Sequence, residues 1–259
     1  MAEVPTPRIE MASFHVFVYD PSAQFIGDAR MRTIGLIGGM SWESTALYYK
    51  LINERVRDRM GKLHSAPLLM YSYDFQEIKE MQYAGRWAEA AGSLAEVARR
   101  LEKAGARAIA LCTNTMHKLA PDITSKLTIR FIHIGDATAE RIRSKGYRRV
   151  GLLGTRFTME ETFYIDRLRA HDLDVLVPPA DERADVNRII YDELCLGVVA
   201  DPSRRRYQDV MAALVSAGAE CIILGCTEIT MLVGADDTTV ETFDTTAIHA
   251  ETAADFAIG

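Results

Sequence analysis

The sequence predicts an α/β fold of two similar lobes, each a parallel sheet flanked by helices, built by internal duplication. Three observations predict it. From Met31 onward, short β-branched or apolar runs alternate with longer helical patterns, as parallel sheets require. Segments of the first half recur in the same order in the second. Turns rich in Gly, Cys and Thr follow corresponding strands of both halves, at the carboxyl ends where open α/β sheets bind ligands. With 259 residues, 48% of them hydrophobic, the chain can bury a sizeable core without covalent staples.

The first thirty residues stand apart. They carry Pro5, Pro7 and Pro21, and their one apolar run, Phe14 to Tyr19, is broken by His15 and ended by Asp20. A secretory signal needs a basic start and a longer unbroken apolar region. Residues 1–30 therefore read as an N-terminal extension outside the folded body, with an edge strand at 13–19 as the alternative. Strands are predicted at 33–37, 67–73, 107–112, 130–134, 148–153, 173–177, 220–225 and 240–243. Between them, residues 86–104 place Trp87, Ala91, Leu94, Val97, Ala98 and Leu101 at spacings of three and four before Gly105. Thr158-Met-Glu-Glu161 has the spacing of a capping box opening the helix that carries Phe163 and Tyr164.

The repeat gives the domain organisation. Ile34-Gly-Leu-Ile-Gly38 matches Val150-Gly-Leu-Leu-Gly154, and Ala104-Gly-Ala106 with Ile109 and Leu111 matches Ala217-Gly-Ala219 with Ile222 and Leu224. Phe131 to Thr138 resembles Val240 to Thr246, with Asp136 and Asp244 as the expected helix N-caps. The expected division is lobe 1 over 31–129 plus 240–259 and lobe 2 over 130–239. Aligned through Leu111 and Leu224, Thr113 falls on Cys226. If the lobes face one another, the two side chains approach a shared cleft from opposite sides.

Charge and cysteine usage narrow the function. Thirty Lys and Arg against 36 Asp and Glu leave no basic excess for nucleic acid or an anionic membrane. The four cysteines lack the density of a secreted disulfide scaffold, which points to a reducing, cytoplasmic setting. Cys112 and His117 have no second pair at metal-ligand spacing, so no metal site is expected. His117 is expected to pack on or cap the helix after its turn, and Arg204-Arg205-Arg206 to form a solvated face. A thiol just past a strand end and beside a helix N-terminus can have its pKa lowered and act as base or nucleophile. Cys226 fits that description. Cys221 and Cys195, inside an apolar run and the helical run 186–197, read as packing residues. Cys112, the last strand residue, should point away from Thr113.

Taken together, Ile34-Gly-Leu-Ile-Gly-Gly-Met-Ser-Trp-Glu-Ser44, Thr113-Asn-Thr115, Gly225-Cys-Thr-Glu-Ile229 and Phe243-Asp-Thr-Thr246 resemble the aspartate/glutamate racemase family over essentially all of 31–259. The resemblance implies two α/β lobes related by a pseudo-twofold with the ligand between them, no pyridoxal phosphate, no other cofactor, no metal, and a homodimer. It implies an isomerase acting at the α-carbon of an acidic amino acid, aspartate or glutamate, through two opposed acid/base groups. The usual pair is two cysteines; here Thr113 stands opposite Cys226, as in the Thr/Cys subgroup of broad amino-acid racemase relatives. A hydroxyl is a poorer base than a thiolate, so Thr113 is cast as proton donor. The resemblance also implies that Asn114, Thr115 and Thr227, with Glu228 of the same turn, bind the substrate. Met40 and Ser41 should line the cleft, Gln82 contact the distal group, and Arg188 grip the distal carboxylate. Two other readings remain: a single-cysteine decarboxylase or cis–trans isomerase of a dicarboxylic acid, and an amino-acid-binding protein without catalysis.

Overall fold

The computed structural model describes residues 31–259; the expected extension over 1–30 lies outside them. The first half runs β1 (Ile34–Gly38), α1 (Trp42–Met60), β2 (Leu68–Ser72), α2 (Phe75–Tyr83), α3 (Trp87–Lys103), β3 (Ala108–Leu111), a 3-10 turn (Thr115–Leu119), α4 (Ala120–Thr124), β4 (Arg130–Ile132) and α5 (Ile134–Ser144). The second runs β5 (Arg149–Gly154), α6 (Arg156–Glu160), α7 (Thr162–Arg169), β6 (Asp174–Leu176), α8 (Ala180–Asp192), a 3-10 turn (Leu194–Leu196), α9 (Asp201–Ser216), β7 (Cys221–Gly225), α10 (Ile229–Leu232), β8 (Glu241–Asp244) and α11 (Thr245–Ile258). All strands pair in parallel, in the orders β2-β1-β3-β4 and β6-β5-β7-β8. The two sheets thus share one topology, and every predicted strand is present.

The repeated glycines have a common physical cause. A Cβ on Gly35 would lie 2.7 Å from Ile109 Cδ1, and one on Gly151 would lie 2.6 Å from Ile222 Cδ1. Leu101 and Leu214 close over the same two positions from α3 and α9. Each sheet's central strand therefore admits a helix only because it carries no side chain there.

The lobe boundary differs from the expected one by a strand on each side. β4, assigned to lobe 2 from the sequence, hydrogen-bonds to β3 in the first sheet, and β8, assigned to lobe 1, completes the second. The exchange between lobes comes one element later. Ile134, Ala137 and Ile142 of α5 pack with Val150, Leu152, Tyr164 and Leu168 of the second lobe. Ala250, Ala253, Ala254 and Ala257 of α11 pack with Ile34, Tyr48, Ile52 and Val56 of the first. Alanines at three- and four-residue spacing let α11 lie close against α1. Arg55 adds a two-pronged ion pair to Asp255 at 3.0 and 2.9 Å.

Two local expectations are corrected. Thr158 opens no capping box: it lies inside α6, whose N-cap is Thr155, and α7 begins after Glu161 without a side-chain cap. Asp244 caps α11 by accepting from Thr246 and Ala247 N–H, but Asp136 caps nothing. His133 takes that place on α5 through its Nδ1, and Asp136 instead pairs with Arg167 and His171. No helix among the described residues is long and apolar enough to cross a membrane.

Candidate active site

Four strand-to-helix turns meet at the carboxyl ends of the two sheets. The turn after β1 needs its glycines: Gly39 has φ +87°, and a Cβ there would run into the Tyr73 backbone. This tightness lets Met40 and Ser41 face the other lobe. A cleft of about 420 Å³, part of it open to solvent, is lined by Met40, Gln82, Thr113, Asn114, Thr155 and Cys226 among others. Thr113 and Cys226, aligned by the repeat, both line it.

The second-lobe half of the site is organised by Glu228, which is 8% exposed. Its Oε2 accepts from Cys226 Sγ at 3.0 Å and from Thr227 Oγ1 at 3.0 Å. Its Oε1 accepts from Ser41 Oγ of the opposite lobe at 3.0 Å. Burial, then the neighbouring carboxylate, push the Cys226 thiol well above its ordinary range. This corrects the expectation of a lowered pKa. The helix after Cys226 is a single turn, and its field does not offset a buried anion hydrogen-bonded to the sulfur. The cleft therefore holds a thiol and a carboxylate.

The first-lobe half is built from hydroxyls and amides. Thr115 Oγ1 meets Thr155 Oγ1 at 3.1 Å across the cleft. Asn114 Nδ2 donates to Thr245 Oγ1 at 3.0 Å, and that hydroxyl donates to Leu224 O. The chain of donors orients the amide, leaving the buried Oδ1 with no protein partner. Gln82 is held likewise: Nε2 points at Met116 Sδ, 2.9 Å away, and Oε1 has no protein partner. Both residues line the cleft, but these two oxygens are themselves buried.

Other expected residues separate from the site. Arg188 is exposed and pairs with Glu193 at 2.9 Å, so it does not reach the cleft. Helix α8 starts at Ala180 rather than 186 and buries Val186, Ile189 and Ile190, which leaves Arg188 on its outer face. Among the described residues the lining contains no Lys or Arg; Lys79 stands 5.4 Å from the centroid of Tyr191, a lining residue. Ser41 contributes through Glu228 and borders a neighbouring depression. Cys112 is fully buried with its thiol pKa raised by burial, on the face strand alternation predicts. Cys221 is buried in β7. Arg204 and Arg206 pair with Asp237, Asp185 and Glu182, leaving Arg205 exposed. Cys195 packs against the second lobe's core as expected and has a second surface that was not expected. It lies past the end of α8 and lines the cleft, its pKa pushed up to about 12 by burial and Glu228.

Sequence reasoning missed Thr155, Tyr191 and Cys195 in the lining. Thr155 was within reach: it follows Gly154 as the helix N-cap, the role Ser41 has after the first Gly-rich strand. Tyr191 and Cys195 had no such signal, because α8 has no counterpart in the repeat as read.

A family model described as Asp/Glu/Hydantoin racemase matches residues 37–253. The chain belongs to the Asp/Glu/hydantoin racemase family. A Yersinia pestis structure assigned as an Asp/Glu racemase is 51% identical, with a TM-score of 0.85, over 88% of this chain and 100% of that one. An aspartate racemase homologue from Pyrococcus horikoshii OT3 is 36% identical, with a TM-score of 0.78, over 88% of this chain and 99% of that one. A glutamate racemase from Thermus thermophilus is 31% identical over 144 residues, 54% of this chain and 50% of that enzyme. The racemase relatives of known structure share the two-lobe α/β architecture described above.

Proposed function

We propose that the protein is an amino-acid racemase that inverts the α-carbon with its own side chains. The observation that carries this reading is the placement of Thr113 and Cys226 at equivalent strand ends, both lining one cleft. Cys226 passes its thiol proton to Glu228, its hydrogen-bonded acceptor, and the resulting thiolate removes the α-proton. Thr113 delivers a proton to the opposite face and is left as an alkoxide that takes a proton from solvent, while Glu228 returns its proton to solvent, so the enzyme ends as it began. The reaction invokes neither pyridoxal phosphate nor a metal. Because a hydroxyl is a weak acid and its alkoxide a strong base, the step through Thr113 is the slower one.

The substrate is read as a small amino acid, with aspartate and glutamate first in line. The lining favours a second choice at the distal end. With Arg188 paired elsewhere and no cation in the lining, a distal carboxylate would find no charged partner there. An amide or hydroxyl side chain needs none, and can hydrogen-bond the polar side chains that line the cleft instead. Chiral chromatography of L- and D-aspartate, glutamate, asparagine and homoserine, with solvent α-proton exchange in parallel, tests both points. Interconversion of any of them without added cofactor supports the racemase reading; none by the wild type, with no exchange, overturns it. Faster turnover of the neutral pair than of the acidic pair would move the substrate from acidic to neutral.

A further inference from the structure

We infer that His117 is the positioning residue that holds Thr113 to the cleft, linking its turn to the point where the chain crosses between lobes. This rests on the reading of Thr113 as proton donor. His117 is 2% exposed and uses both ring nitrogens on backbone. Nε2 lies 3.2 Å from the Ile134 nitrogen, and an amide N–H can only donate, so Nε2 carries the lone pair. The proton is then on Nδ1, which donates to Thr113 O at 2.7 Å. Thr113 N–H is already taken by Leu111 O at 2.9 Å. With both backbone groups fixed, the hydroxyl is left with little freedom beyond its own χ1 rotation.

The other end of the brace matters as much. Ile134 opens α5, whose buried face belongs to the second lobe's core. His249 grips the end of β4 two residues earlier, its Nε2 donating to Ile132 O at 2.8 Å while Nδ1 accepts from Tyr48. The crossing point is therefore gripped from both sides, and through His117 its position is passed to Thr113. The ring is packed at an angle against Phe131, His133 and His249, with centroids 5.5, 4.6 and 5.7 Å away. Burial and the adjacent histidines keep it neutral, so it acts as a fixed strut and not as an acid.

Among the described residues the second lobe has no such strut. The residue four positions after Cys226 is Thr230, whose hydroxyl donates within its own turn to Thr227 O at 2.7 Å. The brace is one-sided, on the side of the weaker acid, whose proton delivery depends most on alignment.

Two variants divide the ring's two contacts. In H117N the amide can stand near Nδ1 and keep the bond to Thr113 O. In H117Q it can reach toward Nε2 and keep the Ile134 contact while releasing Thr113. Solvent α-proton exchange from the enantiomer facing Cys226, and inversion of the same enantiomer, are measured by NMR in deuterated water and chiral chromatography. H117Q is expected to lower inversion about tenfold relative to exchange, with H117N restoring most of the ratio. Equal losses in exchange and inversion, or an H117N as poor as H117Q, overturn the proposal while leaving the racemase reading intact. If H117Q does not fold by circular dichroism, H117N decides alone: a ratio near the wild type supports the strut, and a tenfold fall overturns it. A wild type silent in both assays removes the racemase reading, and the proposal with it.

Discussion

The two halves of the cleft share a plan and differ in chemistry. In each lobe the first strand ends in glycine and the next helix is capped by a hydroxyl, Ser41 or Thr155. In each, the opposite lobe reaches across to that cap: Glu228 to Ser41 at 3.0 Å and Thr115 to Thr155 at 3.1 Å. Glu228 and Thr115 occupy equivalent places, two residues after Cys226 and Thr113. One half therefore presents a thiol on a carboxylate, the other a hydroxyl backed by hydroxyls. The difference teaches that the repeat preserves the positions that hold the lobes together, while acid/base capacity is concentrated on one side. The halves are braced differently too, with a buried histidine network on the hydroxyl side only.

The comparison predicts unequal responses to substitution. The largest effect belongs to Cys226→Ser, which removes the more readily ionised group of the pair. Exchange and inversion should fall by about a thousandfold in α-proton NMR. Retention of inversion by this variant would transfer the base to another residue.

Glu228→Gln separates proton acceptance from the electrostatics of the thiol. Loss of the acceptor should lower exchange by about ten- to a hundredfold. Loss of the negative charge that raises the thiol should at the same time speed alkylation of Cys226 by iodoacetamide at neutral pH. Parallel falls in both rates would make Glu228 a purely structural anchor.

Thr113→Cys makes the halves more alike. It should raise exchange from the slow enantiomer by about tenfold and leave the fast one nearly unchanged. No gain on the slow side would mean that a group other than residue 113 faces it.

The histidine network predicts acid sensitivity. Burial lowers the His249 pKa to about 4 in the folded chain, against an ordinary value near 6.5. Below pH of about 6.5 the unfolded chain takes up a proton that the folded chain refuses. This stability is thus complete at neutral pH and is lost as pH falls towards 4, by on the order of 3 kcal/mol. Thermal melts should be flat above pH 7 and fall over that window, and less steeply in His249→Gln.

Cys112→Ser should show the smallest effect on turnover, because Cys112 is sealed in the first lobe's core. Its cost is in stability, about 1–3 kcal/mol for a hydroxyl with poor hydrogen-bonding options, readable by urea titration. Abolished turnover in this variant, with Thr113→Ala active, would shift the register by one residue and pair Cys112 with Cys226.

The chain order of strands and helices was legible because apolar periodicity and turn residues act over a few positions. The repeat was legible because Gly35 and Gly151 answer the same packing demand in both sheets. From these alone followed the two-lobe α/β fold, the cleft at the strand ends, and Thr113 and Cys226 as the residues to compare. Only the tertiary structure decided the rest. β4 and β8 stay with their own sheets, and α5 and α11 cross over, because burial of an apolar helix face depends on which surface is nearest in space. Arg188 meets Glu193 because α8 buries Val186, Ile189 and Ile190 on its other face, and Cys195 meets the cleft where the chain turns past the helix end. The state of the Cys226 thiol was decided last, by burial first and then by Glu228. Its carboxylate is two residues away in every conformation, but only folding buries it at hydrogen-bonding distance from the sulfur.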